Sequence, residues 1–274
     1  MIDVNRRVLP GFGLSLGYTI FYMSLVVVVP IVAGILKAAD LSLADFWHAV
    51  SSERAIAAYT LTVGASLASA LVNVVLGALV AWVLVRYEFP LKGLLDSLVD
   101  FPFALPTAVA GLVFSSLFVQ NGWYGRFLVP LGIEGAYSRL GIVIVLVFIG
   151  FPFVVRTLQP VLEGLQRDVE EAAACLGASR LQTVVRVTLP AILPAVITGF
   201  ALAFARSLGE YGSVVFISGN MPFRTEIAPV LVVNRLEEFA YTEAAAIAIV
   251  LLTISFAALF LINLLERWMA RYHA

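Results

Sequence analysis

Six long apolar segments divide the chain and limit it to folds that lie in a membrane. A helix needs about 20 apolar residues to cross the hydrocarbon core, where it satisfies its own backbone hydrogen bonds. Charged residues make up 13% of the chain, against roughly 25% in an average soluble domain, so most side chains are expected to face lipid or other apolar helices. The sequence predicts an all-α polytopic membrane protein, one domain over residues 1–274, with spans at Leu14–Leu36, Ala57–Val85, Leu98–Phe118, Leu140–Leu158, Ala191–Ile217 and Ala244–Leu265.

The third span is interrupted by Pro102 and Pro106. Each proline removes a backbone donor and frees a carbonyl, and a broken helix at membrane depth is stable only where protein or a water-filled cavity covers it. This pattern suits a gate or pathway beside Thr107. A helix entry that happens to contain two prolines is the alternative.

Basic residues predict which ends of the spans face the cytoplasm, because short cytoplasmic loops are enriched in Lys and Arg. Six spans place both termini on one side, and that side has ten basic residues against six, so the termini are predicted to be cytoplasmic. The apolar run after Arg7 is longer than the roughly 7–15 residues of a signal-peptide core, so the first helix is predicted to stay uncleaved. The ten are Arg6, Arg7, Arg86, Lys92, Arg156, Arg167, Arg180, Arg186, Arg267 and Arg271, and the six are Lys37, Arg54, Arg126, Arg139, Arg224 and Arg235.

A polar helix-turn-helix is predicted over about residues 160–190, between the fourth and fifth spans. Gly177 allows a left-handed turn that ends its first helix, and Ser179 can cap a second short helix that runs to Pro190. Such a hairpin can dock into a groove of a partner or lie flat on the membrane surface. The first helix has one apolar stripe, at helical spacing, formed by Leu162, Leu165, Val169, Ala172 and Leu176.

The hairpin resembles the cytoplasmic coupling loop of bacterial ATP-binding-cassette (ABC) importer permeases. The resemblance implies that it docks on a separate ATPase. Val187 stands where that family usually has Ile, and the matching residues are Glu171, Ala172, Ala173, Gly177, Leu189 and Pro190.

The chain has no sequence motif for hydrolysing ATP itself. Its two lysines, Lys37 and Lys92, each follow a leucine, so there is no Gly-Lys-Ser/Thr phosphate loop. His48 and His273 lie in flanking segments among no obvious ligands, so no Ser–His dyad is expected within the spans, and no His-Glu-x-x-His motif is present. We expect a transport subunit that is not an enzyme and binds no cofactor or metal, with ATP and Mg²⁺ held by a partner ATPase.

The fifth span contains an arginine and a glutamate, Arg206 and Glu210. Charges inside a membrane are costly and usually face the bundle interior, and a spacing of four puts these two on one helix face. The pair can be self-neutralising, can line an anion pathway, or can contact a neighbouring permease subunit. Gly199, Gly209 and Gly212 are expected to let helices pack closely.

Nearly the whole chain resembles the sulfate/thiosulfate importer permeases, and more the T-type than the W-type subunit. The resemblance is carried by Arg7–Phe12, Asp100–Gly111 (with Phe101 in place of a Leu), Phe151–Glu163 and Arg206–Gly212. Molybdate and tungstate permeases share the hairpin and the Arg206–Gly212 pattern and are the alternative.

The resemblance implies alternating access in the inner membrane, with two ATPase subunits, a W-type permease partner and a periplasmic sulfate-binding protein. Hydroxyls and arginines can hold oxyanions, so the candidate pathway residues are Thr107, Arg206, Ser207 and Glu210. An ion-gradient-driven transporter is a rival class, but it has no need of the hairpin.

Overall fold

The computed structural model describes residues 11–165 and 167–270, and of Arg167 and residues 267–270 it describes the backbone only. Three of the basic residues counted above, Arg6, Arg7 and Arg271, therefore lie outside the described residues. Short helical turns occur at Gly125–Leu128, Val129–Leu131 and Val214–Ile217. Apart from these turns, the helices in chain order are α1 (Phe12–Ala39), α2 (Leu43–Val50), α3 (Glu53–Arg86), α4 (Lys92–Val99), the short α5 (Phe101–Ala104), α6 (Thr107–Phe118), α7 (Arg139–Gly164), α8 (Arg167–Cys175), α9 (Arg180–Leu208), α10 (Ala228–Glu237) and α11 (Tyr241–Ala270).

The predicted all-α polytopic fold is confirmed. Helices α1, α3, α7, α9 and α11 are each long and apolar enough to cross a membrane. They correspond to the predicted first, second, fourth, fifth and sixth spans.

The third predicted span is not one helix. The chain forms α4, α5 and α6 in turn, with Leu105 and Pro106 in extended conformations between α5 and α6. The ring of Pro106 disfavours helical backbone at Leu105, which explains the position of the break. Helix α6 has 12 residues and is about 18 Å long, too short to cross a core of about 30 Å alone.

Helices α3, α7 and α9 pack against one another and form the centre of the molecule. The packing is close, because a Cβ added at Gly77 of α3 would lie 2.8 Å from Cβ of Val154 of α7, so no larger residue fits there without a shift. Helix α1 packs on α11 through its second half, Val29–Ala39, and its apolar side chains are exposed for lipid or another protein.

A buried ion pair lies at the first turn of α3, at the end of the bundle that is predicted to be extracytoplasmic. Nε and Nη2 of Arg54 each donate to a carboxylate oxygen of Glu226 at 2.7 Å, and Nδ2 of Asn234 donates to the same carboxylate at 2.8 Å. The side chain of Glu226 is 1% exposed and that of Arg54 26%. The pair ties α3 to α10.

We expect Arg54→Met to lower the stability of the protein by about 3–5 kcal/mol, because it leaves the buried Glu226 carboxylate without its cation. Thermal unfolding in detergent measures the effect. Arg235→Met is the matched control at the same end: Arg235 pairs with Glu238, which is half exposed, so it should cost no more than about 1 kcal/mol. Equal losses in the two variants would contradict the account.

The opposite end of the bundle is tied by Arg156 of α7. Its guanidinium donates to Asp96 at 2.7 Å and to both carboxylate oxygens of Asp100 at 2.8 and 2.6 Å. A hydrogen bond from Gln159, with Arg156 adding to it, holds the pKa of Asp96 below its ordinary value. The Arg54 pair and this cluster lie at opposite ends of the bundle, and α3, which runs between the ends, is 34 residues or about 50 Å long.

Candidate functional site

The hairpin between α8 and α9 is built by two local caps. Helix α8 ends at Cys175, and Gly177 follows it with a φ of +85°. The N–H groups of Gly177 and Ala178 bond to the carbonyls of Ala174 and Ala173, which is a Schellman motif. The Ser179 hydroxyl then accepts from Gln182 N–H while the Gln182 side chain accepts from Ser179 N–H. Both predicted caps are confirmed.

The side chains that match the coupling pattern are exposed on this hairpin. Glu171 and Ala172 are exposed and Ala173 is half-buried. Leu176 is 90% and Leu181 73% exposed, which is a large apolar surface for a segment this polar. The described part of the chain leaves this face uncovered, as a docking surface requires.

The predicted apolar stripe does not lie on a single helix. Leu162 is buried in α7, and Leu165 is extended between α7 and α8. Only Val169 and Ala172 lie in α8, and Leu176 follows it directly. Helix α7 ends at Gly164, so the hairpin begins later than the stripe suggested.

The helix after Ser179 is predicted to end at Pro190, and this prediction is wrong. It continues as α9 from Arg180 to Leu208 through a π-helical turn at Val184–Thr188. The N–H of Leu189 bonds five residues back, to the carbonyl of Val184, and Pro190 falls in the first turn of the next α-helical stretch, where a missing N–H is tolerated. Leu189 is exposed and Pro190 half-buried. The hairpin is therefore continuous with a helix that is long and apolar enough to span a membrane.

Arg206 and Glu210 form a close ion pair near the other end of α9. Nη1 of Arg206 lies 2.5 Å from Oε2 of Glu210, and Oε1 of Glu210 accepts from the N–H and hydroxyl of Ser213, both at 2.9 Å. The side chain of Glu210 is 3% exposed and that of Arg206 33%. The predicted shared helix face is wrong, because α9 ends at Leu208 and Glu210 lies in the following turn. The predicted fifth span likewise ends nine residues too late, at Ile217.

The structure brings Thr107 to the same place. A Cβ added at Gly212 would lie 2.4 Å from Oγ1 of Thr107, and one added at Gly111 would lie 2.2 Å from the carbonyl oxygen of Ser213. The first turns of α6 therefore pack directly on the turn that carries Glu210. The predicted close packing is confirmed at Gly212, and also at Gly199, where an added Cβ would lie 3.2 Å from Cα of Val154; it is wrong at Gly209, which has open space.

Ser207 faces the helix bundle and not the Arg206 pair. It is 2% exposed, donates to the carbonyl of Ala203 at 2.8 Å and accepts from Ser69 at 3.3 Å. Its hydroxyl is therefore occupied by helix packing, in contrast to the half-buried Thr107 and Arg206.

Sequence reasoning missed a buried polar row on α3. Thr62, Ser66, Ser69 and Asn73 are at most 2% exposed, and their spacing of 4, 3 and 4 is itself a helical stripe that could have revealed them. Ser69 bonds Ser207, whereas the amide of Asn73 has no hydrogen-bond partner among the described residues. Ser69 therefore faces α9, which carries Arg206, whereas the hydroxyl of Thr62 accepts from the N–H of Ala228 at the start of α10.

The Arg206 pair is neutral overall, so it does not attract an anion by charge alone. An oxyanion that reaches it must share the guanidinium with Glu210. Arginine can do so because its planar head has five N–H donors, and Nη1 alone bonds Glu210 within the described part of the chain. This arrangement suits a transient contact between Arg206 and an oxyanion better than tight binding of the oxyanion.

Several known proteins are similar to this chain. Residues 73–271 match the family described as binding-protein-dependent transport system inner membrane component. The chain is 52% identical to the sulfate transport system permease protein CysT of Synechocystis sp., covering 93% of this chain and 89% of that one. It is 47% identical to the protein of the same name from Escherichia coli, covering 96% and 95%.

Among solved structures, a chain of a bacterial alginate ABC transporter in complex with an alginate-bound periplasmic protein superposes with a TM-score of 0.75, at 18% identity and with 93% of each chain covered. That likeness concerns the fold alone. The family model and the two relatives cover most of the chain, so this multi-pass membrane protein belongs to the family of binding-protein-dependent transport system inner membrane components.

Proposed function

We propose that this chain is the membrane-spanning permease subunit of an ATP-driven sulfate importer. The observation that carries the proposal is the 47–52% identity, over more than nine-tenths of the chain, to relatives named sulfate transport system permease. The hairpin and the buried Arg206 pair lie within this shared region. Thiosulfate, an oxyanion of similar shape, is included as a substrate.

ATP hydrolysis is assigned to separate subunits. The exposed hairpin offers a docking surface of the right kind, with Glu171, Ala172 and Ala173 on α8 and Gly177 at its turn. Leu189 and Pro190 follow the π-helical turn of α9. Two ATPase subunits, which hold ATP and Mg²⁺, would seat two such hairpins. The second hairpin comes from a homologous W-type permease, and a periplasmic protein delivers sulfate.

The mechanism is alternating access. Closure of the ATPases pushes the hairpin, and α9 moves with it because the helix is continuous from Arg180 to Leu208. Arg206 and Glu210 lie near the other end of α9. They are beside Thr107 of α6, which belongs to the interrupted third predicted span. The anion passes these groups on its way inward, and no covalent intermediate is formed.

The orientation follows the same logic. The hairpin must face the ATP-containing side, so the Arg156 cluster is cytoplasmic and the Arg54–Glu226 pair is extracytoplasmic. Both termini are then cytoplasmic, in the inner membrane.

Uptake of radiolabelled sulfate by cells that express the chain with its presumed partners tests the substrate. We expect uptake that unlabelled thiosulfate blocks and that an equal concentration of molybdate leaves unchanged. Molybdate uptake without sulfate uptake would contradict the proposal and favour the molybdate and tungstate permeases.

A further inference from the structure

Two neighbouring glutamates of the hairpin have opposite environments. Glu171 is exposed, whereas the side chain of Glu170 is 23% exposed and points into the molecule. Oε1 of Glu170 accepts from Nη2 of Arg86 at 2.9 Å and from the hydroxyl of Thr188 at 3.3 Å. Glu170 therefore joins parts of the chain that are 84 and 18 residues away.

Both partners are themselves held in place. Arg86 is the last residue of α3, its side chain is 10% exposed, and its guanidinium carbon lies 5.5 Å from the ring centre of Trp82. Thr188 is 1% exposed and ends the π-helical turn of α9. An ion pair so shielded from water is screened less than one on the surface. The contact is therefore a firm one at the base of a hairpin whose tip is exposed.

The backbone alone would connect the hairpin less tightly. Between α7 and α8 the helix is interrupted, and Leu165 is extended. Arg86 spans this interruption, because Nη2 also lies 3.4 Å from the carbonyl oxygen of Leu165. The Glu170–Arg86 pair thus adds a second connection, from the hairpin to α3, beside the covalent one to α9.

We propose that Glu170 and Arg86 are positioning residues that transmit movement of the hairpin to α3, so that α3 and α9 move together when the ATPases close. The proposal rests on docking of the ATPase at the hairpin, as proposed above. Helix α3 carries Ser69 and α9 carries Ser207, which are hydrogen-bonded to each other. The two helices are therefore linked both by this hydrogen bond and through Glu170, which contacts Arg86 of α3 and Thr188 of α9. Without the Glu170 pair, ATP would still be hydrolysed, but the hairpin would no longer be tied to the end of α3, and less of its movement would reach that helix.

The test uses the purified complex of this chain with its permease partner and ATPases in proteoliposomes, with the sulfate-loaded binding protein added. Glu170→Gln keeps the size of the side chain and removes its charge. We expect the ATPase to remain bound and ATP hydrolysis to continue, while sulfate imported per ATP falls by at least about fivefold, the lower end of typical coupling between sites. Glu88→Gln is the matched control, since Glu88 forms an exposed pair with Lys92 and should leave the ratio unchanged.

A double-mutant cycle makes the test specific to the pair. Arg86→Gln and Glu170→Gln should each lower the ratio, and the double variant should be no worse than either, because all three remove the same link. Additive losses, or an unchanged ratio in Glu170→Gln, would overturn the proposal. Loss of ATPase binding in Glu170→Gln would also overturn it, by placing Glu170 in the docking surface. Failure of the unaltered chain to hold an ATPase would instead refute the docking itself.

Discussion

Gly177→Val is expected to lower sulfate uptake by at least about tenfold, which corresponds to 1.4 kcal/mol. Gly177 has a φ of +85°, a backbone conformation that costs an L-residue roughly 1–2 kcal/mol and a β-branched residue more. The hairpin would reopen at its tip, and α8 would lose its Schellman motif. Uptake and retention of the ATPase by the purified permease are the two measurements.

Gly132→Val is the matched control. Gly132 has a φ of +78° and, like Gly177, no atom within 4 Å of an added Cβ, so the backbone strain is equivalent. It lies in the loop before α7, at the predicted extracytoplasmic end. Uptake should remain near that of the unaltered protein, and an equal loss in both variants would mean that strain in general, and not the hairpin, is responsible.

Arg206→Met is expected to destabilise the protein by about 3–5 kcal/mol, because Glu210 then remains as an unpaired charge on a side chain that is 3% exposed. Arg206→Met/Glu210→Gln removes both charges and keeps an oxygen that accepts from Ser213. It should recover most of the stability in thermal unfolding. If Arg206 contacts the passing anion, sulfate uptake stays low in the double variant.

The two readouts separate the roles of the pair. Recovery of uptake together with stability would show that the pair only neutralises itself, and would contradict a place in the pathway. Glu210→Gln alone should be the milder single change, because the charge it leaves on Arg206 is one-third exposed to water.

Local rules explain why much of the hairpin was predictable. The turn at Gly177 and the cap at Ser179 depend on residues within four positions of each other. The end at Pro190 was wrong because proline usually stops a helix, whereas here a π-helical turn supplies the last backbone bond at Leu189. No property of the residues before Pro190 announces that turn.

Contacts between distant segments could not be predicted from the sequence. Arg206 and Glu210 could be paired because only four residues separate them, although the helix ends between the two. Glu170 and Arg86 could not, because the pair depends on how α3 packs beside α9. The polar row on α3 carries a clear period, yet its period does not reveal which helix it faces.

Sulfate accumulation by proteoliposomes that contain the complex, with and without enclosed ATP, tests the central claim most directly. The binding protein and sulfate are supplied outside, and no ion gradient is imposed. The account predicts accumulation only with enclosed ATP, and none when the ATPase subunits are left out or made unable to hydrolyse ATP. In a parallel sample, an ion gradient is imposed and ATP is left out; accumulation there would contradict the account and would make this chain a secondary transporter.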